Sequence, residues 1–314
     1  MNRIFSKLLA IGLILVLASL IIAVIGLSIV GWDFTKISGI SITEGSYTEL
    51  GEITEINVKV DTSEVSLVFD ETAEAVTVTY NNEENESGET VREVSVTEAD
   101  GKLTISEKIN WKRSLGLFNF NNTRVTVTLP TSRIYTLNIE TDTGDVSVKG
   151  SATATTAKIE TDTGDIYIEK INTGLLSLSV ATGDITLKDT SATLMIDIEA
   201  NTGDVLLDGA VSSPAVKIET NTGDVKINGS LTAQTVKIET DTGDVKEGLV
   251  DASSITLISD TGDFKLKLVG KSSDYKTSVS LHTGDTNVSK NLSGDKSLDI
   301  RSDTGDVYIY FTEN

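Results

Sequence analysis

Apolar and polar positions alternate along most of this chain, and the alternation is broken at regular intervals by the tripeptide Thr-Gly-Asp. The tripeptide begins at Thr143, Thr163, Thr182, Thr202, Thr222, Thr242, Thr261, Thr283 and Thr304, in steps of 20, 19, 20, 20, 20, 19, 22 and 21 residues. Six and four residues before the Thr stand apolar pairs such as Leu137 and Ile139, Ala157 and Ile159, Leu176 and Leu178, and Ile196 and Ile198. Three and five residues after it stand Val146 and Val148, Ile166 and Ile168, Ile185 and Leu187, and Val205 and Leu207. Each arm has the two-residue period of a β-strand. The interval from Ile159 to Ile166 is odd, so both arms face one interior only if the chain turns a corner at Thr-Gly-Asp.

A fixed period near twenty residues marks a solenoid. Each repeat is predicted to be one coil: strand, Thr-Gly-Asp corner, strand, then a looser return such as Lys149 to Thr156. Successive coils would stack as parallel strands about 4.8 Å apart, because one coil cannot bury its own apolar side. The predicted fold class is all-β, a single-stranded parallel β-solenoid (β-helix) with nine coils over residues 131–314. A degenerate coil is read upstream, where Thr62-Ser63-Glu64 replaces the tripeptide, with Ile56 and Val58 before it and Val65 and Leu67 after it at the same offsets. Residues 34–130, with strand-like runs at 75–80, 91–97, 102–107 and 124–129, are expected to form an irregular β-rich cap over the open end of the stack.

One stretch breaks the period-two pattern altogether. Leu8 to Val30 is 23 residues without a charge, long enough at about 1.5 Å per residue to cross a bilayer as a helix. Arg3 and Lys7 precede it and Asp33 follows, which places the N-terminus in the cytoplasm and the residues after 31 outside. The span exceeds the apolar region of a cleaved signal peptide, so residues 1–33 are read as a short cytoplasmic stub and an uncleaved signal-anchor helix. Trp32 and Phe34 fit either an interfacial aromatic anchor or a first contact of the folded part.

Composition narrows the chemistry. There is no cysteine, which excludes disulfides, thiolate chemistry and a lipoprotein anchor. The formal net charge is −21 and is spread through the repeats. Such a surface repels nucleic acid, which is excluded as a partner. No cofactor is expected.

The apolar anchor, the short alternating strands, the Thr-Val-Thr-Leu-Pro segment (Thr126–Pro130) and the string Leu-Asn-Ile-Glu-Thr-Asp-Thr-Gly-Asp-Val (Leu137–Val146) with its echoes occur here together. In these features the sequence resembles the bacterial putative-adhesin family of unknown function, the LiaG-like β-strand-repeat proteins, over roughly residues 40–314. The resemblance implies an envelope-associated β-repeat protein and supplies no catalytic residue.

The corner glycines Gly144, Gly164, Gly183, Gly203, Gly223, Gly243, Gly262, Gly284 and Gly305 are read as structural, since a tight turn needs a residue free to adopt positive φ. The slot before the Thr accepts Ala181 and His282 as well as Asp and Asn, so it needs no carboxylate. Stacking lines up Asp145, Asp165, Asp184, Asp204, Asp224, Asp244, Asp263, Asp285 and Asp306. Two accounts offset the repulsion within that row: each carboxylate holds backbone N–H groups of its own corner, or the row binds divalent cations such as calcium. The first is preferred and no metal is assigned. A second outward row, Glu140, Glu160, Glu199, Glu219 and Glu239, has Lys158, Lys217 and Lys237 two residues before three of its members and reads as a charge-paired, solvated face. The lone histidine, His282, has no partner pattern for a Ser-His-Asp triad. Paired carboxylates would suit a glycosidase, but repeats this even leave no insertion to wall a cleft. Trp111, Lys112, Arg113, Leu115, Leu117, Phe118 and Phe120 form a basic-aromatic stretch that suits an end cap or a contact with a membrane surface or partner.

These readings point to a non-catalytic, membrane-anchored, cell-envelope structural or adhesion-type binding module, held by residues 8–30 and facing an envelope glycan, a surface or a membrane protein. The alternatives are an extracytoplasmic accessory of an envelope stress-sensing system and, less favoured, a carbohydrate-active enzyme.

Overall fold

The computed structural model describes residues 40–110 and 123–313. The expected membrane helix over 8–30, the flanking Trp32 and Phe34, and the stretch Trp111–Phe120 lie outside the described residues. Among the described residues no helix is long and apolar enough to cross a membrane. Their one helical turn is the 3-10 segment Ser272–Asp274.

Two compact units emerge. The larger comprises residues 44–81, 94–108 and 123–314, the smaller residues 1–43, 82–93 and 109–122. The described part of the smaller unit includes the start of strand Ile40–Thr48 and a hairpin in which Glu83 faces Arg92 and Glu84 faces Thr90. Asn85 closes its turn by accepting the N–H groups of Ser87 and Glu89. Behind the turn the Glu83 carboxylate meets the Arg92 guanidinium at 3.4 Å, both side chains almost wholly buried. Such a pair is costly to break, because removing one partner strands the other charge.

The larger unit is a parallel β-solenoid. Its first arms run in strict register: Ile139, Ile159, Leu178, Ile198, Ile218, Ile238 and Leu257 each pair with the next. All seven are at most 2% exposed. The second arms stack likewise, from Val146 through Ile166, Ile185, Val205 and Val225 to Val245 and Phe264. The degenerate coil is a true coil. Ile56 and Val58 pair with Leu137 and Ile139, and Val65 and Leu67 pair with Val146 and Val148.

Three details differ from the sequence reading. First, the returns are not loose. Val205–Thr222 and Val225–Thr242 are each one continuous strand of 18 residues, and Val211, Leu231 and Val250 fill a third inner wall. A twenty-residue coil has no slack once its return also supplies core side chains. Second, the coils do not all stack in chain order. The Thr261 coil pairs with the Thr304 coil, and the Thr283 coil lies beyond it, pairing with the Thr304 coil from the far side. The same inversion occurs at the other end. Leu103, Ile105, Val125 and Val127 form a further coil on the far side of residues 55–70, which therefore sit between it and the Thr143 coil, and Thr77–Tyr80 edges its second arm antiparallel. Third, eight rather than nine of the tripeptides have both arms. After Thr283 the second arm reduces to a bridge between Thr286 and Val307, because residues 286–294 fold back over the outer edge.

Two residues before eight of the nine Thr, a small or β-branched side chain points inward: Thr141, Thr161, Val180, Ala200, Thr220, Thr240, Ser259 and Ser302. The hydroxyls of Thr161 and Thr220 reach the carbonyls of Gly144 and Gly223. Those of Thr141, Thr240, Ser259 and Ser302 have no protein hydrogen-bond partner among the described residues. A buried hydroxyl without a partner costs about 1–3 kcal/mol relative to water, and Val180 shows that an isosteric apolar side chain fits the same column. Thr240→Val is therefore expected to stabilise the chain by about 1 kcal/mol, a rise of roughly 2–4 °C in Tm for a domain of this size. Differential scanning calorimetry checks it, and a drop in Tm would show that the hydroxyl is bonded in solution.

Candidate functional site

The feature repeated most faithfully is the corner, and its residues divide the work. The N–H of every corner glycine but Gly284 bonds to the Thr carbonyl of the next coil in the stack, as from Gly203 to Thr222 and Gly223 to Thr242, both at 2.9 Å. The residue after Asp does the same to the next Asp carbonyl, as from Val205 to Asp224. Between them the Asp N–H is left over, and a buried or half-buried donor needs an acceptor. The Asp carboxylate of the preceding coil supplies it.

The N–H groups of Asp165, Asp184, Asp204, Asp224, Asp244, Asp263, Asp306 and Asp285 donate in turn to Oδ1 of Asp145, Asp165, Asp184, Asp204, Asp224, Asp244, Asp263 and Asp306, at 2.7–2.9 Å. All nine predicted aspartates thus form one row, but eight of the carboxylates grip the neighbouring coil and not their own turn, and Asp285 ends the row. The row is one-way: the acceptor always lies on the side of the Thr143 coil. Each of the eight negative charges faces an N–H dipole, which offsets the repulsion between carboxylates one ladder step apart. Among the described residues no group of three or more His, Asp or Glu side chains is gathered as metal ligands.

All nine predicted glycines stand in a column beside this row. Gly223 shows why. Its φ is 152°, a region closed to L side chains, and a Cβ there would fall inside the carbonyl of Gly203. The coils approach at full ladder contact only because nothing projects from this position.

Lys246 strengthens the middle of the row, with its Nζ 2.6 Å from Asp224 and 3.5 Å from Asp244. Burial pushes the Asp224 carboxyl up, but the Lys246 ammonium and the Asp244 N–H outweigh it and hold it below the usual range. The Lys246 ammonium is raised in turn, chiefly by its bond to Asp224.

The glutamate row is equally regular. Glu199, Glu219 and Glu239 lie in register, and so do Glu140 and Glu160. Lys217 Nζ lies 2.7 Å from Glu219, 3.3 Å from Glu199 and 3.7 Å from Asp197, while Lys237 lies 3.0 Å from Glu219 and 2.5 Å from Glu239. Burial raises the Glu219 carboxyl, but its bonds to Lys217 and Lys237 prevail and hold it low. Asp197, more desolvated and sharing its lysine, is pushed up. Lys158 pairs with Glu160, and Lys59 reaches Glu140. His282 is exposed at the corner of the outermost coil. The surface between coils is shallow: an open groove of about 400 Å³ is lined by Glu64, Arg124, Asp145, Lys149, Asp165 and Tyr167.

Two residues that finish the ends carry no repeat signal. Glu107 is buried against the degenerate corner and accepts the N–H groups of Asp61 and Thr62 at 2.7 and 2.8 Å and the hydroxyl of Ser63 at 2.7 Å. It holds from the next coil a corner that lacks glycine. At the other end the Asn287 amide mimics a strand, donating to the Ile309 carbonyl and accepting the Ile309 N–H, each at 2.9 Å.

Parallel coils joined by corner carboxylates define a β-solenoid class in which repeated polar residues serve stacking. The chain belongs to the Toastrack DUF4097 family, whose profile matches residues 53–311. Among solved structures it is similar to a putative adhesin from Bacteroides fragilis, at 17% identity over 86% of this chain and 97% of that one, with a TM-score of 0.40. A putative adhesin from Parabacteroides distasonis is 14% identical over 85% and 97% of the two chains, with a TM-score of 0.48. A putative lipid binding protein from the same species is 12% identical over 88% and 97%, with a TM-score of 0.36. None of the curated proteins compared matches the chain.

Asp224→Ala removes the acceptor of the Asp244 N–H and is expected to cost about 1–2 kcal/mol, the low end for a charge-assisted bond because the carboxylate is 36% exposed. Asp224→Asn, which keeps Oδ1 as an acceptor, should lose less. Because the folded-state pKa of Asp224 is depressed, its contribution is complete above the unfolded value of about 3.9 and disappears as pH falls through the folded value. Urea unfolding of the three proteins at pH 7 and pH 3 checks both points. The gap between wild type and the Ala variant should narrow in acid.

Proposed function

We propose that the chain is a non-catalytic, membrane-anchored module of the cell envelope that acts as an adhesion-type binding or structural element. In this reading residues 8–30 form the anchor, the N-terminus is cytoplasmic and the solenoid lies outside. The observation that supports it most directly is how the repeated polar side chains are used. The corner carboxylates hold neighbouring coils, and the Glu and Lys rows largely neutralise one another. What remains among the described residues is an extended face with open grooves such as the one lined by Glu64, Arg124 and Tyr167, a form suited to contact with a surface or polymer and not to enclosure of a substrate. The names of the similar solved structures, two putative adhesins among them, agree with a binding role.

The test is fractionation of cells expressing the full-length chain. The protein is expected in the membrane pellet, resistant to carbonate washing, with residues beyond 34 digested by protease added outside intact cells. Deletion of residues 8–30 should abolish membrane retention. A full-length wild-type chain in the cytosolic fraction, or a soluble product starting near residue 20 or 30, would overturn the anchored reading.

A further inference from the structure

One patch of the solenoid departs from the economy of the rest. On the second arms, Lys226 lies 3.4 Å from Glu247 and Lys246 is held by Asp224 and Asp244. In the next coil the outward residues are Lys265 and Lys267. Both are exposed, and neither has a carboxylate partner among the described residues. The register sets Tyr308 beside Lys265 and Tyr310 beside Lys267 on the neighbouring strand Val307–Phe311. Tyr308 and Tyr310 are two residues apart on one strand and share a face, with their Cα atoms about 7 Å apart. Tyr310 is 49% exposed, although aromatic residues make up only 5% of the chain.

Carboxylates adjoin this patch. Asp263 and Asp306 each spend Oδ1 on the next coil. Asp285 ends the row and accepts no backbone N–H among the described residues. The field of Asp306, then desolvation and the field of Asp285, pushes the Tyr308 phenol up, so the row lies within electrostatic reach of the ring. The patch is therefore two aromatic faces, two ammonium groups without partners and a line of hydrogen-bond acceptors, gathered along the paired strands Phe264–Leu268 and Val307–Phe311.

We propose that Tyr308, Tyr310, Lys265 and Lys267 bind an acidic polysaccharide. This assignment rests on the envelope-module reading above. The apolar faces of successive sugar rings lie on the two tyrosines, ring carboxylates pair with the two lysines, and hydroxyls donate to Asp285. Each part is a chemical match: aromatic faces accept apolar C–H surfaces, and ammonium groups form charge-assisted bonds with carboxylates. Lys265, Lys267 and Tyr310 are exposed, which suits an extended polymer lying across them, since small ligands are held in concave sites. The charge distribution argues against a membrane surface, because a broad anionic plane would press against the whole Asp row and the net charge of −21, whereas a single glycan strand sets its carboxylates on the two lysines and meets the row only through hydroxyls at Asp285.

The experiment is isothermal titration of the full-length chain with oligogalacturonate in the presence of chelator. Dextran, polyphosphate and phosphatidylglycerol vesicles serve as comparison probes. Oligogalacturonate should bind and dextran should bind at least tenfold more weakly. Y310A and K267E should each weaken oligogalacturonate binding at least tenfold, while Y310F and the first-arm control K158E leave it unchanged. These side chains are exposed, so thermal melts of the variants should match wild type. Absence of binding at millimolar oligogalacturonate, or binding unaffected by Y310A and K267E, would overturn the site, as would stronger binding to the vesicles or to polyphosphate. Failure of this site leaves the envelope-module reading intact if the chain still fractionates with the membrane. Conversely, release of reducing ends from oligogalacturonate would overturn the non-catalytic reading while keeping the site.

Discussion

Stacking at ladder distance leaves one backbone donor per coil in difficulty, and the handling of that donor governs the rest of the structure. A parallel β-ladder needs its coils about 4.8 Å apart at every wall, including the corner. At the corner the chain must reverse the facing of its side chains while keeping contact with the coils on either side. Glycine makes the approach possible, because no side chain intervenes between carbonyl and backbone. The Asp carboxylate then accepts the N–H that the turn leaves unpaired. Remove the glycine and the coils cannot close; remove the carboxylate and the corner closes with an unmet donor. The apolar walls, each residue stacked on its counterpart, follow from a spacing that the corner permits.

The two ends solve a problem that the middle does not have. A regular stack terminates in coils with one bare edge, which exposes ladder groups and core side chains. Here each end inverts the chain order: Lys296–Thr304 lies between Val245–Thr261 and Tyr275–Thr283, and Glu55–Val60 lies between Tyr135–Thr143 and Lys102–Ile109, whose coil is edged in turn by Thr77–Tyr80. The remaining edge beyond Tyr275–Thr283 is covered in part by Asn291, which exchanges two backbone bonds with Thr277. Glu107 and Asn287 complete the ends with side-chain groups in place of a further coil.

Much of this was legible in the sequence, for a physical reason: a repeat writes the same local constraint many times. The offsets of Ile139 and Val146 from Thr143 recur so regularly that the corner, the parallel register and even the degenerate coil at Thr62 could be read directly. The corner glycines and aspartates could be named one by one. What the repeat could not convey was anything that happens once. The inverted order of the Thr283 and Thr304 coils depends on which pairing buries more surface at an end, and both coils carry the same motif. Glu107 sits in a segment without period, and its partner corner lies more than forty residues away. The destination of each Asp oxygen was also hidden. Own-turn and next-coil bonds require the same residue at the same place, and only the geometry of the leftover N–H distinguishes them. The patch of Lys265, Lys267, Tyr308 and Tyr310 escaped because its members lie 41–45 residues apart and become neighbours only through the end inversion.

That inversion has a mechanical side. In a stack ordered simply by sequence, tension on the chain would peel the last coil from the edge, breaking its bonds one after another. Here a pull transmitted through Val307–Phe311 loads a segment paired with Phe264–Leu268 along its whole length and bridged to Thr286 on its other side. A pull through residues 55–60 meets partners on both sides as well. The bonds in each segment lie side by side and share a load applied along the strand, so these two segments resist traction more strongly than the edge coil of a simple spiral.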